Sequence, residues 1–149
     1  MVSISATAGV RQRTPHPSRL AGAAALAAVV AVGIDALLAL IGRSVFSVPA
    51  SFTQFDPISY ISLTVIGVIG ASIGWAIIAA KAKDPGKLLF RLAVIVVPVT
   101  WLADAALLVA GESPIGVVIL MIMHIGVGTI TYFALSRIAP PRSSVAVTD

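Results

Sequence analysis

Three side chains in this sequence are of types that do chemistry, and they stand where such types are costly. Asp35, Asp104 and His124 each lie inside a long apolar run. Two carboxyls and an imidazole can bind and release protons, hold a small cation, or ligate a divalent metal. No pair of histidines stands four residues apart and no HExxH occurs, so neither a metal centre nor any other cofactor is expected. Polar residues accompany the three at helical spacing. Thr100 and Trp101 stand four and three residues before Asp104, on its face of a helix. Tyr60 and Thr64 share a face of another run. Asp35, Asp104, His124, Thr64, Tyr60, Thr100 and Trp101 form the candidate ligand- or proton-binding set. The competing reading is structural: each aspartate is neutral, hydrogen-bonded and merely ties helices together.

These residues need elements to position them. Of 149 residues, 58% are hydrophobic and only 11% are charged. A soluble domain carries about 25% charged residues, so this composition excludes a water-soluble enzyme and a disordered chain. With no cysteine, disulfide scaffolds and thiolate chemistry are excluded too. A helix crosses the hydrocarbon core with about 20 apolar residues. Four such runs occur, near 20–42, 58–80, 89–111 and 114–136. They are long and apolar all round, which is the pattern of helices rather than of barrel strands. The first run is too long for the apolar core of a signal peptide and is expected to be retained. The expected fold is all-α: a polytopic membrane protein whose residues 19–138 form an up-down bundle of four transmembrane helices. Residues 1–18 and 139–149, rich in Ser, Thr, Pro and Arg, are expected to be disordered tails.

Charge orients this arrangement. Arg11, Arg13, Arg19, Lys81, Lys83, Lys87, Arg91, Arg137 and Arg142 fall on one side, nine of the ten basic residues, and Arg43 alone on the other. The positive-inside rule then places both termini in the cytoplasm, with the chain multi-pass in the plasma membrane. The net charge of +4 follows from this sorting. The expected partners are the lipid bilayer and anionic headgroups at the cytoplasmic face. The basic residues flank spans and accompany no recognition motif, so nucleic acid is not expected.

Small residues mark close helix contacts. Gly70 and Gly74 form a GxxxG beside Gly67 and Ala71, Gly126 and Gly128 stand in the fourth run, and the first run carries Ala21, Ala24, Ala25, Ala28 and Ala31. Packing within the bundle is the favoured use of these glycines, and homo-oligomerisation through Gly70 and Gly74 is the alternative. Pro98 is expected to kink the third span. Asp84-Pro85-Gly86 reads as a cytoplasmic turn; in the tighter outer turn Gly111 can end one helix, Ser113 can cap the next and Pro114 fits its first turn. The outer segment 43–57 carries Phe46, Phe52 and Phe55 and reads first as an interfacial connector, second as a lid over the helix ends.

At 1.5 Å per residue, Asp35 and Asp104 both stand roughly 22 Å above the cytoplasmic ends of their helices, and His124 about one turn deeper. Together with Thr64 and Tyr60 they can ring a pocket open to the outer side. The function expected is transport-like, or small-ligand or cation binding through this intramembrane Asp/His cluster. The first alternative is a non-catalytic accessory or assembly subunit packing on a larger membrane protein. The second is a membrane-embedded enzyme, for which no GxSxG, P-loop or dinucleotide fingerprint speaks. No catalytic residue is assigned.

The runs PISYISLTVIGVIGASIGWAIIA, LFRLAVIVVPVTWLADAALL and LMIMHIGVG, with Asp35, Pro57, Gly67, Trp75, Asp104 and His124, resemble a family. Its members are small four-helix membrane proteins, mostly actinobacterial, grouped as a domain of unknown function. The resemblance spans residues 20–139 and implies a fold and a membrane location. It implies no activity.

Overall fold

The computed structural model describes residues 15–141. The tails expected at either end lie largely outside the described residues, and Arg11, Arg13 and Arg142 with them. The described chain forms four helices and no strand: α1 Pro17–Ser44, α2 Pro57–Lys81, α3 Pro85–Val109 and α4 Pro114–Ile138. A single 3-10 turn, Thr53–Phe55, interrupts the connector between α1 and α2. All four helices are long and apolar enough to cross a membrane.

Every helix begins on a proline. The first turn of a helix has no partner for its N–H groups, so a residue without one is suited to that place. Two of the preceding residues act as caps. Ser113 accepts the N–H of Gly116, and Asp84 accepts that of Lys87, each at 3.3 Å. Asp56 precedes α2 without capping it, because its carboxylate is drawn 2.7 Å to the Arg43 guanidinium at the end of α1. Two expected boundaries are corrected by these prolines. α1 takes up Pro17 and Ser18 from the expected tail. Pro85 and Gly86 are the first turn of α3 and not a free turn, so that helix starts before the expected residue 89. Gly111 ends the α3 segment with φ 85°, and the Glu112 N–H returns to the Leu107 carbonyl at 3.0 Å. α3 runs through Pro98 without ending.

α1 lies most broadly against α4 and next against α2, whereas α3 lies against α4 and only thinly against α2. Two apolar clusters form. At the connector end, Ala39, Val48, Phe52, Phe55, Val117 and Met123 pack together. At the termini end, Ala23, Trp75, Leu89 and Leu135 join all four helices. The buried ridge of α1 is Ala23, Ala27, Ala31, Asp35 and Ala39, a strict four-residue repeat. Of the alanines expected to line α1, only Ala31 is on it. Small side chains on this ridge let the neighbouring helices approach closely, which in lipid supplies the packing that water would otherwise drive. The outer surface stays apolar, with Val29, Ile58 and Leu102 among its exposed residues, while polar side chains are buried. That inversion suits a chain whose solvent is hydrocarbon.

The connector is a lid. Phe52 and Phe55 are buried and meet edge to face at 4.8 Å between ring centroids. They fit because Gly42 and Gly116 lack side chains: a Cβ at Gly116 would stand 3.1 Å from the Phe52 ring, and one at Gly42 would collide with Phe55. The interfacial-connector reading therefore gives way to its alternative, although Phe46 remains exposed.

The glycines expected to pack helices divide. Gly128 is closely covered by Val97 of α3, and Gly126 is in ordinary contact with Ile34 of α1. Gly67, Gly70 and Gly74 have no neighbour within 4 Å of where a Cβ would stand. The expected use of the α2 glycines inside the bundle is thus corrected: α2 turns its Thr64, Val68, Ser72, Trp75 and Ala79 stripe inward and leaves the glycines uncovered.

Candidate functional site

Each helix contributes a polar side chain to a layer between the two apolar clusters, three of them buried and the fourth, His124, part-exposed. Asp35 of α1 is 1% exposed and Asp104 of α3 is 4% exposed. Thr64 of α2 is buried and its hydroxyl donates to Asp35 Oδ2 at 2.6 Å. His124 of α4 places Nδ1 3.0 Å from Asp104 Oδ2 and 3.0 Å from the Leu120 carbonyl. Its ring is aligned for the carbonyl of its own helix and not for Asp104. Among the described residues Asp104 Oδ2 thus has the imidazole at 3.0 Å but no aligned donor, and Asp35 Oδ1 has no hydrogen-bond partner.

Four of the seven expected residues therefore meet, as two pairs. Asp35 pairs with Thr64 across α1 and α2. Asp104 pairs with His124 across α3 and α4. The pairs do not merge into one ligand sphere: among the described residues no three of His, Asp and Glu stand close enough to hold a metal ion. A protonic or cationic guest held by carboxylate oxygens fits this layer better than a chelated metal.

The remaining three expected residues do other work. Thr100 donates its hydroxyl to the Val97 carbonyl of its own helix at 2.6 Å, and so turns from Asp104. Trp101 donates Nε1 to the Met121 carbonyl at 3.2 Å and fastens α3 to α4 one turn from the Asp104–His124 pair. Tyr60 packs beside the apolar cluster of the lid. That cluster also bears on the pocket expected to open outward. Phe52, Phe55 and Val117 are stacked over the connector end, so the buried layer is closed there by apolar side chains.

Several contacts escaped the sequence. Trp75 donates Nε1 to the Ala139 carbonyl at 2.9 Å, closing the end of α4. A lone buried tryptophan needs a partner for its N–H, but nothing in spacing pointed to residue 139. Gly42 and Gly116 are seats for aromatic rings, and the phenylalanines of the connector were the only clue to them.

The class is thus an all-helical bundle of four helices, each long and apolar enough to cross a membrane, around a polar layer. No protein-family model, curated protein or solved structure matches the chain.

Proposed function

We propose that this chain is a small multi-pass protein of the plasma membrane that binds a small cation or a proton at Asp35, Thr64, Asp104 and His124, and does so in the service of transport. In this reading the bundle is up-down, both termini are cytoplasmic and the Phe52–Phe55 lid faces outward. The observation that carries it is the pair of buried carboxyls on different helices, each with an oxygen that lacks an aligned donor. An aspartate at the bilayer centre costs about 2.5–3.5 kcal/mol on the insertion scale, and a chain needing only a helix tie has cheaper means. The basic residues Arg19, Lys81, Lys83, Lys87, Arg91 and Arg137 support the orientation and attract anionic headgroups.

Vesicles containing the purified protein and a trapped pH indicator test this. Each receives an inward gradient of Na+, tetramethylammonium or tetraphenylphosphonium. At least one of the three should exchange with protons faster than in protein-free vesicles, and Asp104→Asn should abolish the difference. Rates equal to protein-free vesicles for all three would overturn transport.

A second reading has its own support. α3 is the least buried helix and the glycine flank of α2 is uncovered. Both suit an accessory subunit packing on a larger membrane partner or on another copy. Co-purification with such a partner that is indifferent to Asp104→Asn would favour it.

A further inference from the structure

We infer that the guest of this layer is a lipophilic organic cation that enters sideways from the hydrocarbon, between α2 and α3, and not through the lid end. The inference rests on the binding function proposed above and names its substrate class and its route. Three independent features lead to it.

The first is the closure of the lid end. Phe52 and Phe55 are buried there, against Gly42 and Gly116, with Val48 and Val117 packed around them. A hydrated ion has no polar path across that cluster.

The second is an opening on the flank. α2 and α3 are joined by a turn of three residues, yet their seam is thinner than those of α1 with α2 and of α3 with α4. Gly67, Gly70 and Gly74 leave empty space beside α2. His124 is the one member of the layer that is substantially accessible, with 35% of its side chain exposed. At 100° per residue it stands about 60° from the α4 row that meets α3, Met121 and Gly128, toward the bundle interior. It stands roughly 150° from the row that meets α1, Ile119 and Gly126. Its exposed surface therefore opens beside α3 on the side of α2.

The third is charge. Behind His124 lie two buried carboxyls with unmatched oxygens, Asp104 and Asp35, and among the described residues no Lys or Arg is buried. The exposed surfaces of α2 and α3 are apolar, with Ile66, Ile73, Val99 and Leu102 among their exposed residues. A guest that dissolves in hydrocarbon and carries positive charge satisfies both conditions; an alkali ion satisfies only the second. On arrival its charge is matched by the carboxyl oxygens of Asp104 and Asp35 that lack a donor, with no covalent step.

The experiment measures binding to the whole protein in lipid nanodiscs, net of empty discs. The probes are tetraphenylphosphonium and tetramethylammonium, equal in charge and different in lipophilicity. Tetraphenylphosphonium should bind at least about tenfold more tightly. Asp35→Asn and Asp104→Asn should each weaken it by about tenfold or more, and Asp104→Glu should restore it. Gly70→Phe, whose Cβ would meet nothing within 4 Å, should slow association several-fold, and Phe52→Ala should leave the rate unchanged. Binding of tetramethylammonium alone would overturn the substrate class and leave the cation site standing. Binding of neither would overturn both. Tetraphenylphosphonium binding that ignores the Asn variants is partition into lipid, and it also overturns the site. Faster association in Phe52→Ala, or a Gly70→Phe effect confined to oligomeric state, would overturn the lateral route.

Discussion

A carboxyl removed from water needs a donor or a counter-charge for each oxygen, and Asp35 and Asp104 are each supplied with only part of that. Thr64 satisfies one oxygen of Asp35 and leaves the other unmatched. The His124 imidazole stands 3.0 Å from Asp104 Oδ2 without an aligned bond. The two members of the second pair are therefore not equivalent to mutation. His124→Leu leaves a buried carboxyl with no compensation and should lower stability by about 1–3 kcal/mol, read by thermal unfolding in detergent. Trp75 stands at the opposite extreme, a fully matched polar group. Trp75→Phe should cost about 1 kcal/mol through the lost bond to Ala139, with faster amide exchange confined to the last turn of α4. An equal effect spread over all four helices would contradict so local a role. The chemistry of Asp35, Asp104 and His124 was legible in the sequence because ionisable residues inside apolar runs are conspicuous. The partner of Trp75 was not, since it lies 64 residues away and is a backbone carbonyl.

The helices themselves were read nearly to their ends, because twenty-residue apolar runs admit one structure in lipid. Expectation and structure differ at the starts of α1 and α3, where proline is a first residue and not a break, whereas Pro114 opens α4 as its spacing implies. α3 shows the cause: Asp84 caps it, and the backbone N–H of Lys87 holds that carboxyl below its ordinary value of 3.8, helped by the charges of Lys87 and Arg91. A group held below its unfolded value contributes stability above that value and loses it as pH falls through the folded one. Amide exchange at Lys87 should therefore accelerate as pH drops below about 4, after correction for intrinsic rates. Asp84→Asn, which caps without titrating, should remove the pH dependence. A wild-type profile as flat as that of Asp84→Asn would show that the cap carries no charge-dependent stability.

The glycines separate what a pattern reveals from what a fold decides. GxxxG in α2 looked like a packing motif, but spacing alone does not say which face turns inward. Trp75 and Val68 orient α2, and the glycines are left outside. Gly42 and Gly116, which carry no motif, hold the lid rings instead. Gly42→Ala and Gly128→Ala should each destabilise by about 1–3 kcal/mol, because the new methyl meets Phe55 or Val97. Gly70→Ala should be neutral or stabilising by up to about 1 kcal/mol, from helix propensity alone. Comparable losses at all three would mean that the α2 glycines are covered in the membrane, by a partner or a second copy. At the scale of the molecule, one polar group per helix meets between an apolar lid and an apolar base. Whether that layer holds the helices together or holds a guest is decided by removing its charge while keeping its shape. Thermal unfolding of the wild type, Asp35→Asn and Asp104→Asn at neutral pH in one detergent is the direct measurement. A binding site predicts variants as stable as the wild type or more so, since function keeps the acids against stability. A fall of about 4 °C or more in both variants would make them structural ties and contradict the proposed function.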